Sequence, residues 1–456
     1  MPFLKKCIFF FLSLLLLESC SQKPLSNPSV APSLTGKELF VQWAQQQQLT
    51  FDFEEEKSLQ GLVEKIGQDI GTARVVLLSE GFHNCEEMLQ LQYELVTYLV
   101  QQKGFTVVAT ESGLPESKYL NAYIHGQDSI ANLWQKGISK LYGQWQASRD
   151  LVNWMAAYNK NNNNVLNYYG ADIGGGYQDW EFPFQQVFEY LDTVDAPTSK
   201  KLQQDLTPYF AKMKPYAAYY YVTKFSPQQK NDLALLLEEL IQEFTNNKSS
   251  YLQKSNSRDY EWVLQVVKSM RWAEHYYRNH ANITDTTTNR TPLFLGASGR
   301  ELAMAKNIQW LLEYQPNAKI IVINHVLHTK TATQYQGEFY QFFTPMGQIL
   351  KQHLQEDLFV IGMAYGAGQY WKLWQVPDRK YLDTIPPVDS NGLEVVLQEI
   401  GNHNYYLPLQ DPPQLTYQWL HQPTTIREND YHIVLQPSEW NACFYLPRVS
   451  PAVEGE

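Results

Sequence analysis

The sequence predicts an α/β protein: a largely parallel sheet flanked by helices, with an inserted helical subdomain. Four apolar runs, at 74–79, 105–110, 165–170 and 319–324, have strand length and are bounded by glycine, asparagine or charged residues. Helical patterns stand between them, and strand–helix–strand order is how right-handed parallel units are built. From 195 to about 285 the pattern turns wholly helical. Residues 36–194 and 286–448 are therefore expected as two parts of one α/β domain, and 195–285 as an insertion or lid between them.

The elements follow in order. A helical stretch at 34–49 opens the domain near Gly36. After the first run, Met88, Leu91, Leu95 and Leu99 recur at helical spacing, and Gly104 ends that helix as a C′ glycine does. After the second run, Pro115 opens a short helical segment reaching Tyr123. A helix at 145–158 and a polar turn of asparagines at 159–164 precede the third run. Within the insertion, Ser226-Pro227 is a helix start with proline at the first helical position, and Leu233, Leu236, Leu237, Leu240, Ile241 and Phe244 make the apolar stripe. Another helix covers 258–280. The parallel pattern then resumes: a strand at 293–296, a helix at 301–314, the fourth run, a helix at 344–354 and a strand at 357–363. Runs at 431–435 and 442–446 are expected as closing strands. The chain has no internal repeat.

A chain of 456 residues that is 44% hydrophobic and 14% aromatic can bury a large core. Its net charge of −11 argues against nucleic acid as a partner, since phosphate binding needs a basic footprint, and against a polybasic membrane-surface helix. Lys5 and Lys6 followed by the apolar stretch 7–17 read as a signal peptide over 1–19, too short to span a bilayer as a stable helix. Leu17-Glu-Ser-Cys20 resembles a bacterial lipoprotein cleavage box, which implies lipidation at Cys20 and a cell-envelope location with the lipid as the sole membrane contact. An ordinary secretory signal with an incidental cysteine is the alternative. Residues 20–35, rich in serine, proline and asparagine, read as a tether. Cys85 and Cys443 then remain and are expected as free thiols.

Each of the four runs leads into residues able to do acid–base chemistry: Glu80 and His83, Glu111, Asp172, and His325 with His328. In an open α/β sheet the carboxyl ends of parallel strands form the ligand crevice, so neighbouring strands would bring these groups to one rim. Glu80 beside His83 can fix an imidazole's tautomer and raise its basicity, with Gly81 supplying the bend; an acid favoured at a helix N-terminus is the plainer reading. Glu111 and Asp172 suit the rim or a helix cap equally. The three-residue spacing of His325 and His328 puts both rings on one side of a helical turn, where they suit a divalent metal or a developing oxyanion. His275 and His280 are expected on different faces of their helix, and His125, His353, His403, His421 and His432 have no supporting pattern. A nucleophile elbow, a zinc helix, a phosphate loop and a dinucleotide fingerprint are all missing from the sequence; Gly296-Ala-Ser-Gly299 has the wrong spacing for the first.

Taken in order, these segments resemble the erythromycin esterase family: Leu78-Ser-Glu80-Gly-Phe-His83 through Glu87, Gly104 to Glu111, Trp145 through Leu151-Val-Asn-Trp154 to Tyr158-Asn159, Tyr169-Gly-Ala-Asp172, Arg300 to Asn307 with Trp310-Leu311, His325-Val-Leu-His328, and Pro345-Met346-Gly347. The resemblance runs from about residue 40 to 446. It implies an ester or lactone hydrolase of small molecules, macrolides among them and with them antibiotic resistance, working through a histidine-activated water without a covalent serine intermediate. Carried over by position, His83 is the general base and Glu80 its orienting carboxylate. Glu111, His325 and His328 complete the catalytic set, while Asp172, Gln92 and Arg300 are expected on the substrate-binding side. The sequence differs from the family pattern at Gln92, where characterised esterases carry a basic residue, at Val326 in place of asparagine, and at Glu301 in place of aspartate. No cofactor is implied. A metal-dependent hydrolase and an inactive ligand-binding envelope lipoprotein are the alternative readings.

Overall fold

The four apolar runs lie side by side and parallel. The structure, a computed structural model, describes residues 34–127, 130–163, 165–174, 180–214, 217–280, 291–332, 343–375, 378–428 and 431–455. The expected signal peptide, Cys20 and nearly all of the tether lie outside the described residues. The strands are β1 (Leu49–Thr50), β2 (Val75–Glu80), β3 (Val107–Gly113), β4 (Asn167–Asp172), β5 (Ile320–His325), β6 (Leu358–Gln375), β7 (Asp378–Thr384), β8 (Tyr405–Pro408), β9 (Thr424–Glu428), β10 (Tyr431–Leu435) and β11 (Ala442–Val449). Among the described residues they make a nine-stranded sheet in the order β1-β8-β11-β6-β2-β5-β3-β4, with β7 beside the far end of β6, and a separate ribbon of β9 and β10. The stretch from β11 to β4 is parallel throughout, and β8 and β1 close one edge antiparallel.

Strands covered on both faces read as continuous apolar runs, which is why β2 and β5 stood out in the sequence. Every residue of β2, β4 and β5 is buried. Val76, Leu78, Ile321 and Ile323 face a core that includes the helix Glu86–Lys103. Val75, Leu77, Ile320 and Val322 face the opposite core, which holds Met346 and Leu350 of the helix Met346–Leu354.

That division opens the crevice. The chain leaving β2 crosses one face of the sheet to β3, passing β5, while the chain leaving β5 crosses the other face to β6, passing β2. The two connections diverge at the carboxyl ends of β2 and β5, and a gap at such a switch point is where open α/β sheets take ligands. A bulge completes the rim. Thr110 pairs with Gly170 but Gly113 pairs with Asp172, so β3 carries one residue more than β4 across the interval that contains Glu111. Gly170 is required there, because a Cβ would sit 2.2 Å from the Ser112 carbonyl oxygen and 2.3 Å from that of Gly113.

A third core, rich in aromatics such as Trp180, Phe184, Phe210, Tyr221, Phe244 and Tyr277, holds the helical segment together. It takes in the helix Glu181–Val194 as well as those from Ala196 to His280. The Ser226-Pro227 start is a full capping box, and Gly104 has the left-handed φ of 71° expected of a C′ glycine. Cys85 and Cys443 are free and buried.

Three expectations are corrected. Residues 293–296 are not a strand but part of the helix Thr291–Tyr314; a short apolar run does not distinguish a strand from a buried helical turn. Gly296 and Gly299 in this helix allow close approach to the helix Ser257–His280, since a Cβ at either would lie 2.6 Å from Asn279 or 2.9 Å from His275. The strand expected at 357–363 continues to Gln375 as β6 and turns back through β7. Of the closing strands, 442–446 lies within β11, but 431–435 pairs with β9 outside the main sheet.

Candidate active site

Glu80 ends β2 and is completely buried. Its Oε1 lies 2.7 Å from Nδ1 of His83 and accepts the Tyr142 hydroxyl at 2.7 Å. Its Oε2 accepts the Gln92 amide at 2.5 Å. The turn between Glu80 and His83 fits only because residue 81 is glycine: a Cβ there would lie 2.7 Å from the Tyr365 hydroxyl. A carboxylate facing Nδ1 selects the tautomer with the proton on that nitrogen, so Nε2 of neutral His83 carries the lone pair. That Nε2 is 3.8 Å from Oε2 of Glu111, beyond hydrogen-bond distance. Burial opposes charge on His83, but the charges of Glu80 and Glu111 and the hydrogen bond to Glu80 outweigh it, and its pKa lies above 6.5.

Glu111 stands on the bulge of β3 with its carboxylate among three nitrogen donors. Oε1 faces Nη2 of Arg300 at 2.8 Å and Nε2 of His328 at 3.2 Å, and Oε2 faces the His325 backbone N–H at 3.3 Å. Burial favours the neutral acid here. His328, His83 and Arg300 prevail and hold the carboxyl well below the usual 4.5.

His325 and His328 arise from one feature, the end of β5 running into the short helix Val326–Thr329. They nevertheless differ in charge. His325 donates from Nε2 to the Gly81 carbonyl at 3.0 Å; burial and the neighbouring His83 push its pKa well below 6.5, so it is neutral. The His83 and His325 ring centres are 4.9 Å apart. His328 lies between two carboxylates, Nδ1 at 2.6 Å from Glu301 and Nε2 at 3.2 Å from Glu111. Burial opposes its charge, yet Glu301 and Glu111 raise its pKa to about 10, so it is an imidazolium. The 3.4 Å approach of Arg300 Nη1 to His328 Nε2 is then a contact between two donors and not a hydrogen bond.

Arg300 grips Asp172 in the fork geometry typical of guanidinium–carboxylate pairs, Nε to Oδ1 at 3.0 Å and Nη2 to Oδ2 at 2.5 Å, and reaches Glu111 with the same Nη2. Burial of the guanidinium is more than offset by Asp172 and Glu111, which raise its pKa further. Its guanidinium carbon lies 5.9 Å from the Tyr276 ring centre, so the helical segment borders the site.

The structure thus brings Glu80, His83, Glu111, Asp172, Arg300, His325 and His328 into one connected cluster. Gln92 joins it through Glu80, which accepts its amide. Tyr142 and Glu301 join without having stood out as partners in the sequence. Tyr142 lies 62 residues from Glu80 on a four-residue helix, and no spacing links the two. Glu301 was legible only as the neighbour of Arg300; its other oxygen accepts the Met346 N–H at 2.9 Å. Among the described residues no group of three or more His, Cys, Asp or Glu side chains could hold a metal ion.

Comparison with known proteins agrees with the fold. The chain is 22% identical over 353 residues to erythromycin esterase type II of Escherichia coli, covering 75% of this chain and 81% of that protein. Its fold matches a Bacillus cereus protein of known structure with a TM-score of 0.76 at 19% identity, covering 92% of this chain and 99% of the other. It also matches a mutant of the erythromycin esterase EreC in its open conformation, with a TM-score of 0.70 at 17% identity, covering 85% and 94%. The family model described as Erythromycin esterase matches residues 100–447, and the chain belongs to the erythromycin esterase family.

Proposed function

We propose that this protein hydrolyses an ester or lactone bond of a small molecule, macrolides being the first class to try, by direct attack of water activated at His83. The observation that carries the reading is the unengaged Nε2 of a histidine whose Nδ1 is fixed 2.7 Å from a buried carboxylate. A water at Nε2 gives that nitrogen a proton as its oxygen adds to the acyl carbon. The tetrahedral oxyanion forms beside the fixed positive charges of His328 and Arg300, which is where such charge is stabilised most effectively. When the carbon–oxygen bond to the leaving group breaks, the proton held at Nε2 passes to the departing alkoxide, leaving acid, alcohol and neutral His83. Glu111 keeps both cations in place, and His325 secures the 81–83 turn through Gly81. Export and attachment through Cys20 belong to the same proposal and would put the activity at the cell envelope.

The test is acid release from a panel of macrolides and simple esters, followed by a single turnover in heavy-oxygen water. Direct attack puts the label in the released acid alone, whereas an anhydride on Glu111 opened at the protein's own carbonyl would put it in the protein. His83→Ala should lower the rate by about 10²–10⁴-fold. Silence towards every substrate, or label in Glu111, removes the proposal.

A further inference from the structure

The carboxylates at this site are held in two different ways. Glu111 and Asp172 share the Arg300 guanidinium. Glu80 is more deeply buried than either, yet among the described residues no lysine or arginine reaches it. Besides His83, its hydrogen-bond partners are a phenol and an amide. The Tyr142 hydroxyl stays neutral, because burial and then the adjacent Glu80 and Glu111 push its pKa well above 10. The amide of Gln92 carries no charge at any pH.

We propose that Tyr142 and Gln92 are positioning residues that act through Glu80: as uncharged donors they fix its carboxylate in place and leave its negative charge directed at His83. The inference rests on the hydrolase reading given above and concerns how the base is tuned. Two donors on different oxygens, from two separate helices, restrict rotation of the carboxylate and hence of the imidazole bonded to it. Second partners of this kind orient a catalytic ring and are worth roughly 10–100-fold when removed. A cation in place of either would share the charge of Glu80 and weaken the base.

The groups facing His83 fix what a titration would read. They are Glu80 on β2, Glu111 on β3, Tyr142 on the short helix Lys140–Gly143, and His325 with His328 after β5. Cys85, on the same turn, is buried and held protonated by burial first and then by Glu87 and Glu80. Gln92 meets His83 only through Glu80, so a variant there acts through a single carboxylate, whereas the Tyr142 hydroxyl bonds Glu80 and also lies 3.5 Å from Nδ1 of His83, so Tyr142→Phe reads both contacts together.

The experiment follows the His83 ring by NMR across pH in the wild type, Gln92→Arg, Gln92→Met and Tyr142→Phe, and measures kcat/KM across pH wherever a substrate has been found. Gln92→Arg should move the His83 midpoint down by about one pH unit, with the acid limb of kcat/KM moving equally. Gln92→Met and Tyr142→Phe, which remove a donor without adding charge, should leave the midpoint at or above the wild-type value while kcat/KM at its plateau falls about 10–100-fold. A folded Gln92→Arg protein with an unmoved His83 midpoint overturns the proposal; if that variant does not fold, an unchanged plateau in Tyr142→Phe does so. The NMR readout needs no substrate, so a failure of the hydrolase reading and a failure of this one are separable.

Discussion

Nδ1 of His328 lies 2.6 Å from the carboxylate of Glu301, on the opposite side of the ring from Glu111. A ring held between two buried acids gains a proton that it would not keep near neutrality in an unfolded chain. Its folded pKa of about 10 exceeds the ordinary 6.5. The stability contributed is therefore full below 6.5 and is lost as pH rises through about 10. Thermal unfolding of the wild type should shift to lower temperature across that window. Glu301→Gln should flatten the dependence and cost about 3–5 kcal/mol at neutral pH, as loss of one partner of a buried pair does. Equal alkaline slopes for the two proteins, read by calorimetry, would show that Glu301 does not hold the proton.

Glu111 gives the mirror case. Its folded pKa is well below 4.5, so its contribution is present above 4.5 and is lost as pH falls through the depressed value. Glu111→Gln should remove part of the acid sensitivity of folding while leaving His328 with one carboxylate partner. Its titration by NMR should then end below about 10; an unchanged His328 midpoint would mean Glu301 alone suffices.

Arg300 meets Asp172 through a fork that lysine cannot reproduce. Arg300→Lys should keep the fold and lose at least about tenfold in kcat/KM, equivalent to about 1.4 kcal/mol of transition-state stabilisation. Arg300→Met should cost about 3–5 kcal/mol of folding stability as well, because Asp172 loses its cation and Glu111 is left with His328 alone. Wild-type kinetics in the lysine variant would reduce Arg300 to a simple counter-charge.

Gly170 touches no catalytic group, yet Gly170→Ala should disturb the site. The added methyl meets two carbonyl oxygens of the bulge that carries Glu111, and backbone cannot yield as a side-chain tip can. Overpacking of this kind costs about 1–3 kcal/mol, while a displacement of about 1 Å at the carboxylate can lower a rate about a hundredfold. A drop in Tm without any loss of activity would show that the bulge tolerates the shift.

Lipid attachment is testable apart from chemistry. Cys20→Ser should leave hydrolysis by the purified domain unaltered, abolish incorporation of labelled fatty acid and move the protein from the membrane fraction to the soluble one. Retention in the membrane fraction would favour an anchor other than Cys20.

The parallel core was legible because its strands are covered on both faces. Aliphatic runs such as Val75–Leu78 and Ile320–Ile323 had no reason to alternate, and each ended at the crevice. The order of those strands was not legible from pattern alone, because β5 inserts between β2 and β3 from more than 200 residues away. Residues 293–296 misled because a short apolar run fits a strand and a helix equally; the helix is instead marked by Gly296 and Gly299, which bring it close to its neighbour. Gln92 and Tyr142 show a further limit. Amides and phenols are common everywhere, and their meaning comes from the one carboxylate oxygen each approaches.

The insertion of β5 between β2 and β3 also sets the timing of assembly. A growing chain that has emerged only as far as the helical segment already holds His83 and its carboxylate, but lacks His325, His328 and the arginine. The slot between β2 and β3 must stay open, or reopen, to admit the latecomer. Competence therefore arrives late in synthesis, and a product truncated before residue 320 would lack both β5 and β6, the two strands that flank β2 in the sheet.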